Sequence, residues 1–113
     1  MTLENFKEKL KTSQKVAFTD TMAVIEENYT FTPTAFKNGA LENEAGQNSG
    51  SCKLFAFAKE QGFTTKETLA CFGHYYFDEV LKDPNGDGHQ NIRNFMKTGF
   101  EGLQFESDAL KTK

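Results

Sequence analysis

Phenylalanine is spread along the whole chain, and this distribution limits the ways in which the chain can fold. There are 12 Phe and 3 Tyr but no Trp among 113 residues, so aromatic side chains must fill much of the interior. A chain of this length buries one core and is too short for two. We therefore predict a single domain over residues 1–113 with a phenylalanine-rich core.

Helical spacing of apolar residues predicts four or five helices. They cover about residues 2–13, 20–28, 51–61 and 64–82, with a last helix that ends near residue 98. The candidate N-cap residues are Thr2, Thr19, one of Asn48, Ser49 and Ser51, then Thr64, and either Asp87 or Gly88. Thr64 and Glu67 have the spacing of a capping box, and Gly62 has the position of a left-handed C-terminal residue. The helix at 64–82 has the widest apolar arc and is predicted to be central.

Two segments lack the helical period. Pro33 forbids a regular helix within residues 29–39, and apolar residues alternate in residues 99–105. We expect residues 34–37 to pair with residues 99–105 as a small antiparallel two-stranded sheet, and residues 107–113 to be frayed. The predicted fold class is therefore α+β and mainly helical, with all-α as the alternative.

The charge balance argues against two classes of partner. The chain has 13 basic and 16 acidic residues, a net charge of -3, and Arg93 as its one arginine. Proteins that bind nucleic acid concentrate Lys and Arg on one face, and anionic membrane surfaces attract the same residues. No apolar run approaches the roughly 20 residues that span a bilayer. We predict no nucleic-acid partner and no membrane partner.

Cysteine usage and the N-terminal sequence indicate the compartment. Cys52 and Cys71 are too few and too widely spaced for a disulfide framework, which is typical of a reducing intracellular compartment, although one bridge between them stays open. The N-terminal segment lacks the apolar stretch and cleavage site of a signal peptide. We therefore expect a cytoplasmic protein.

A calcium-loop pattern begins at Asp83, with Asn85 and Asp87 at the following ligand positions. The pattern requires a bidentate glutamate at its twelfth position, where this chain has Asn94. A simpler explanation is that a helix ends before Pro84, a turn follows, and Asp87 caps the next helix. Calcium binding is therefore a secondary hypothesis.

A zinc site can be drawn from four residues, which are Cys52, Cys71, His74 and His89. Only Cys71 and His74 are close in sequence, and the other spacings differ from those of structural zinc sites. Buried apolar cysteines and structural histidines explain the same residues. We predict no cofactor and no metal.

The last helix carries polar residues beside its apolar stripe. With Ile92 facing inward, His89 and Arg93 lie on one border of the stripe and Asn91 lies on the other. At such positions Arg93 is suited to binding an anion and His89 to moving a proton. The alternative is structural: hydrogen bonds from His89 and Asn91 to the preceding loop, and an ion pair from Arg93.

Three strings in the sequence resemble the HopJ type III effector family of bacterial proteins. They are YTFTPTAFKNG, NEAGQNSGSCKLFAFAK and GDGHQNIRNFMKTGFEGLQF, and the resemblance covers about residues 18–105. It implies a bacterial source and a family named for a plant-pathogen protein delivered into host cells, but no reaction, cofactor or catalytic residue. The residues of this chain that form the resembling motifs are Pro33, Asn38, Gly39, Asn43, Glu44, His89, Asn91, Arg93 and Asn94.

Two functional hypotheses follow from the residues. In the first, the chain is a non-enzymatic binding module in which the polar loop 39–51 and the last helix border a cleft for a protein or a small anionic ligand. Its candidate ligand-binding residues are Asn38, Asn43, Glu44, Asn91, Arg93 and Asn94. In the second, the chain is a small enzyme that uses His89 and Arg93 with Glu44 or His74.

The resemblance adds a third hypothesis, secretion by a type III system into a host cell. Segments exported in this way are usually disordered and rich in serine. This chain begins with a charged helical pattern and has one serine, Ser13, in its first 48 residues. Export is therefore the alternative to a cytoplasmic location.

Overall fold

Helices make up most of this chain, whose computed structural model describes residues 2–12 and 15–113. The α-helices are α1 (Leu3–Lys11), α2 (Phe18–Asn28), α3 (Ser49–Gln61), α4 (Thr65–Ala70) and α5 (Gln90–Thr98). A π-helix spans Tyr75–Val80 and a 3-10 helix spans Gly99–Gly102. The strands are β1 (Tyr29–Phe31), β2 (Phe36–Asn38), β3 (Leu41–Asn43), β4 (Leu103–Phe105) and β5 (Leu110–Thr112). The predicted α+β class is confirmed.

The larger sheet has the strand order β3-β2-β4, and both pairings are antiparallel. Phe36 in β2 lies opposite Phe105 in β4, so the predicted pairing of these two segments is confirmed. The prediction of two strands omitted β3, which joins β2 through a tight turn. Gly39 has a φ of 62° in this turn, a conformation that glycine adopts without steric cost.

The C-terminal segment forms a second sheet. Strand β5 pairs antiparallel with β1, with Tyr29 opposite Thr112. Ala109 is buried, and the Ser107 hydroxyl donates a hydrogen bond of 2.8 Å to the Thr34 hydroxyl. The expectation of a frayed tail is therefore wrong, because this segment has both a strand partner and a place in the core.

The predicted helix at 64–82 is interrupted. Helix α4 ends at Ala70, and a turn at residues 71–73 leads into the π-helix. Gly73 in this turn has a φ of +61°, and a Cβ there would meet the backbone N of Phe18 at 2.9 Å and the carbonyl O of Val16 at 3.0 Å. The close passage of residues 16–18 over Gly73 therefore divides the helix.

Two of the predicted helix caps are confirmed. The Thr2 hydroxyl accepts the N–H of Asn5 at 3.1 Å, and Thr64 and Glu67 form the reciprocal bonds of a capping box. Gly62 follows α3 with a φ of 71°, as predicted. The predicted end of the first helix at Ser13 lies outside the described residues.

The expected cap of the second helix is wrong. Helix α2 begins one residue earlier than Thr19, and Ala17 occupies its N-cap position. The Asp20 carboxylate accepts the Ala17 N–H at 3.2 Å, so the helix start is stabilised from inside the helix.

Phenylalanine dominates the core, as predicted. Among the largest fully buried side chains are Phe6, Phe36, Phe55, Phe57 and Phe95. The Phe55 ring of α3 lies 4.8 Å from that of Phe95 in α5 and 6.4 Å from that of Phe36 in β2, measured between centroids. One aromatic cluster thus joins the sheet to both helices. No helix in residues 2–12 or 15–113 is long and apolar enough to cross a membrane.

Candidate functional site

Helices α3 and α5 begin at one cleft, and both begin in the same unusual way. Their N-cap residues, Asn48 and His89, have left-handed backbones with φ of 50° and 56°. A residue other than glycine in this region carries a steric cost, and such residues cluster at functional sites. Neither side chain caps its helix. The expectation that Asp87 or Gly88 caps the last helix is wrong, and Asn48 holds the N-cap position without the expected side-chain bond.

Because neither side chain caps its helix, the first N–H groups of each helix have no side-chain hydrogen-bond partner from the N-cap residue. The first backbone bonds run from Cys52 N–H to Asn48 C=O and from Arg93 N–H to His89 C=O. Within residues 2–12 and 15–113, the N–H groups of residues 49–51 and 90–92 donate no hydrogen bond. Two helix starts therefore present up to six amide donors, each start at the positive end of a helix dipole.

Four asparagines join the two helix starts to the sheet. Asn43 Oδ1 accepts from Asn48 Nδ2 at 2.7 Å and from Asn91 Nδ2 at 3.1 Å, and Asn38 Nδ2 donates to the Asn91 carbonyl at 2.7 Å. Asn38, Asn43 and Asn91 are buried. We call Asn38, Asn43, Asn48 and Asn91 the asparagine network. It fixes the start of α3 relative to the start of α5, and Asn38 Oδ1 is a buried acceptor without a partner among the described residues.

The cleft between the helix starts has a volume of about 460 Å³. Its walls are partly aromatic and aliphatic, formed by Phe18, Leu41, Phe72, Tyr75 and Ile92. Its polar lining comes from the two helix starts and includes Ser51, His89 and Asn91. A mainly apolar cleft with a few convergent polar groups is the usual form of a small-molecule site.

Glu79 lies between two histidines at the edge of the cleft. His89 Nε2 is 3.0 Å from Glu79 Oε1, and His74 Nε2 is 3.5 Å from Glu79 Oε2. The Tyr75 ring packs against both imidazoles, with centroid distances of 4.2 Å to His74 and 5.4 Å to His89. The carboxylate and this ring orient His89, which lines the cleft, whereas His74 does not line it.

The other candidate ligand-binding residues lie elsewhere. Glu44 lines a separate depression beside β2 and β4. Arg93 lines a third depression and donates from Nε to the Gly88 carbonyl at 2.6 Å. Asn94 donates from Nδ2 to the Gln90 carbonyl within its own helix. Of the residues predicted from the sequence, the structure brings Asn91 and His89 to the cleft, and Asn38 and Asn43 are hydrogen-bonded to Asn91.

The residues considered for metals lie in different surroundings. Asp83, Asn85 and Asp87 are exposed in the turn before α5. In the described part of the chain, no three His, Cys, Asp or Glu side chains form a group that could hold a metal ion. Cys52 and Cys71 are buried free thiols.

Burial keeps both thiols protonated. It raises the pKa of the Cys52 thiol to about 11. Burial, together with the nearby Glu67 carboxylate, also raises the pKa of the Cys71 thiol. Neither sulfur has the electropositive, accessible environment of a reactive cysteine.

Sequence reasoning missed several residues of the cleft. Phe18, Gly50, Tyr75 and Glu79 belong to it or support it, but none was a candidate. Asn48 and Ser51 were considered only as caps. The available signal was the pair of strings NSGS and GHQN, in which a polar residue precedes each helix without a regular capping box.

The fold and the cleft define a small α+β protein with one amide-rich site between two helix starts. Comparison with known families matches residues 3–110 to the HopJ type III effector protein family. The chain therefore belongs to this family, and the resemblance seen in its sequence is confirmed.

A solved structure is also very similar to this one. It is described as the crystal structure of unknown function protein VPA0580, and it is 53% identical in sequence with a TM-score of 0.97. The match covers 100% of this chain and 95% of the other. No curated protein matches the chain significantly. The comparisons thus show the family and the fold, and they add no biochemical activity.

Proposed function

We propose that this protein is a binding module that takes a small anionic ligand in the cleft between loop 39–51 and α5. The observation that carries the proposal is the convergence of two helix starts whose N–H groups at residues 49–51 and 90–92 have no partner in the described chain. Helix starts of this kind bind phosphate and carboxylate groups, because donors and dipole act together.

The charge around the cleft supports an anion. None of the residues that line it in the described part of the chain is acidic. The Glu79 carboxylate next to the cleft is already engaged by His89 and His74. An entering anion therefore meets two positive dipole ends without a competing carboxylate in the lining.

The walls suggest what the rest of the ligand looks like. Phe18 and Tyr75 are partly exposed aromatic residues in the same lining as the polar helix starts. A ligand with an anionic group and a small apolar or aromatic portion contacts both halves of the cleft. The volume of about 460 Å³ lies within the range of small-molecule sites.

Titration with inorganic phosphate and phenyl phosphate, followed by amide NMR, tests the proposal. We expect saturable shifts at residues 49–51 and 90–92, with tighter binding of phenyl phosphate. Ser51→Glu places a carboxylate in the cleft and should weaken binding about tenfold or more. Gln104→Glu adds the same charge at an exposed residue of β4, outside the cleft, so it serves as the control. Shifts that do not saturate, or equal affinity of the two variants, contradict the proposal.

One observation favours an enzymatic alternative. His89 lines the cleft and is held by Glu79 at 3.0 Å, the arrangement that orients an imidazole for proton transfer. Neither Glu44 nor Arg93 lines this cleft. If the protein turns over phosphate or carboxylate esters, His89→Ala should abolish turnover with the fold intact. A purely structural imidazole predicts a lower melting temperature and no other change.

For the location, we propose that the protein acts inside the cell that makes it, with delivery into a host cell as the alternative. Support comes from α1, whose Phe6 and Leu10 are buried in the core, unlike an unfolded export segment. A translocation reporter fused to the chain in a strain with an active type III system tests this. A reporter signal inside host cells would contradict the cytoplasmic proposal.

A further inference from the structure

A second concave surface is formed by residues other than those of the cleft described above. It is formed where the end of α1, the start of α4 and the π-helix meet, and its volume is about 490 Å³. Its floor is apolar and consists of Leu10, Ala70, Tyr76 and Phe77. Its rim carries Lys11, Lys15 and Lys66, and we call it the lysine-rimmed groove. It shares no lining residue with the cleft between the two helix starts.

The π-helix turns two consecutive aromatic side chains toward this groove. Tyr76 and Phe77 both line it, and their rings meet at a centroid distance of 5.0 Å and an angle of 62°. Both side chains are only partly buried. The groove therefore has an apolar surface that the described chain does not fully cover, and π-helical turns of this kind are frequent at functional sites.

The three rim lysines have no acidic partner among the described residues, whereas Lys37, Lys53 and Lys82 each lie within 4.0 Å of a carboxylate. Lys15 Nζ lies 5.8 Å from the centroid of the Phe77 ring. Among the described residues that line the groove, Glu67 alone is acidic, and its carboxylate accepts the Thr64 N–H at 2.9 Å in the capping box. On a chain of net charge -3, this groove is locally positive.

We propose that the lysine-rimmed groove binds a free fatty acid of medium chain length. The alkyl chain lies on Leu10, Ala70, Tyr76 and Phe77, and the carboxylate lies among the rim lysines. The positive rim favours an anionic head group, and the partly exposed apolar floor favours an alkyl chain. Lysine suits a rim of this kind, because its apolar stem packs on the floor while the ammonium group stays at the surface.

Calorimetric titration of the full chain with sodium decanoate, below the concentration at which decanoate forms micelles, tests the proposal. We expect saturable binding, with amide NMR shifts centred on Ala70, Tyr76 and Phe77. The variant with Lys11→Glu, Lys15→Glu and Lys66→Glu should bind at least about tenfold more weakly. A control with Lys97→Glu, Lys111→Glu and Lys113→Glu changes the net charge equally outside the groove and should bind as the unmodified chain does.

Further measurements separate the contribution of the carboxylate to binding from that of the alkyl chain. Decanol lacks the charge and should bind at least about tenfold more weakly than decanoate. Ala70→Phe fills the floor and should abolish binding, which tests the site independently if the lysine variant does not fold. Equal binding of decanol, equal binding by both lysine variants, or shifts at residues 49–51 and 90–92 instead would each overturn the proposal. Binding to phosphatidylglycerol vesicles without binding of monomeric decanoate would overturn it as well.

Discussion

Asn91 uses both ends of its side-chain amide and its backbone carbonyl inside one buried network. Its Nδ2 donates to Asn43 Oδ1 at 3.1 Å, and its Oδ1 accepts from Asn38 at 3.0 Å and from Asn43 at 3.2 Å. A buried amide that satisfies this many neighbours is expensive to remove, because each former partner then lacks a hydrogen bond. Asn91 therefore holds the start of α5 at the cleft.

Asn91→Ala is predicted to lower the free energy of unfolding by about 2–4 kcal/mol, since Asn38 Nδ2, Asn43 Nδ2 and Asn43 Oδ1 each lose a hydrogen bond in a buried network. Urea denaturation measures the change. Asn94→Ala is the matched control, because Asn94 lies on the same helix and, within residues 2–12 and 15–113, its side chain donates only to the Gln90 carbonyl. We expect that control to lose less than about 1 kcal/mol. Equal losses would show that the network adds little to stability.

The network also shows where reasoning from sequence ends at the residue scale. The caps at Thr2 and Thr64 involve partners three residues away, so the local sequence was enough to predict them. Asn38 and Asn91 are 53 positions apart, and the sequence contains nothing that makes them specific partners before the chain folds. Both were candidates as polar residues, but their joint role required the fold.

At the element scale, the break between α4 and the π-helix arises from a contact rather than from propensity. Residues 64–82 have a continuous helical pattern, and Gly73 alone is a weak sign of a break. The decisive fact is the approach of the Phe18 backbone, more than 50 positions earlier in the chain, to the site of a Cβ on Gly73. Tyr76 and Phe77, which line the lysine-rimmed groove, follow directly after this break.

Gly73→Ala is predicted to destabilise the protein by about 2–4 kcal/mol, because it combines a strained φ with a close backbone contact. Gly62→Ala is the control: Gly62 also has a positive φ, 71°, but a Cβ there meets nothing within 4 Å. Its expected cost is about 1 kcal/mol. Thermal unfolding of both variants gives the difference, and equal melting temperatures would refute the role of the contact at Gly73.

At the scale of the whole molecule, β1 and β5 bring distant parts of the chain together. The prediction of a frayed tail failed because its polar sequence, SDALKTK, gives no local sign of a strand. The segment is ordered by its contacts with the rest of the protein: it pairs with β1, Thr32 N–H donates to the Ala109 carbonyl at 2.8 Å, and Ala109 is buried. By contrast, the pairing of β2 with β4 was predictable, because Pro33 and the turn at Asn38-Gly39 mark β2 as extended, and apolar residues alternate at Leu103 and Phe105 in β4.

Deletion of residues 107–113 is predicted to lower the free energy of unfolding by about 2–4 kcal/mol, through loss of buried apolar surface and exposure of the β1 edge. The matched control is deletion of residue 113 alone, which removes one backbone bond to Asn28 and no buried side chain. Urea denaturation and amide exchange at residues 29–31 measure the effect. Unchanged protection of β1 in the longer deletion would contradict the prediction.

The asparagine network consists of four amides and contains no ionisable group. Its hydrogen bonds are therefore indifferent to acid and to base over the range in which carboxylates and imidazoles change charge. The asparagine network should therefore hold the two helix starts at a constant distance over that range. Any dependence of ligand affinity on pH then arises outside the network, in the ligand itself or in the charged groups beside the cleft.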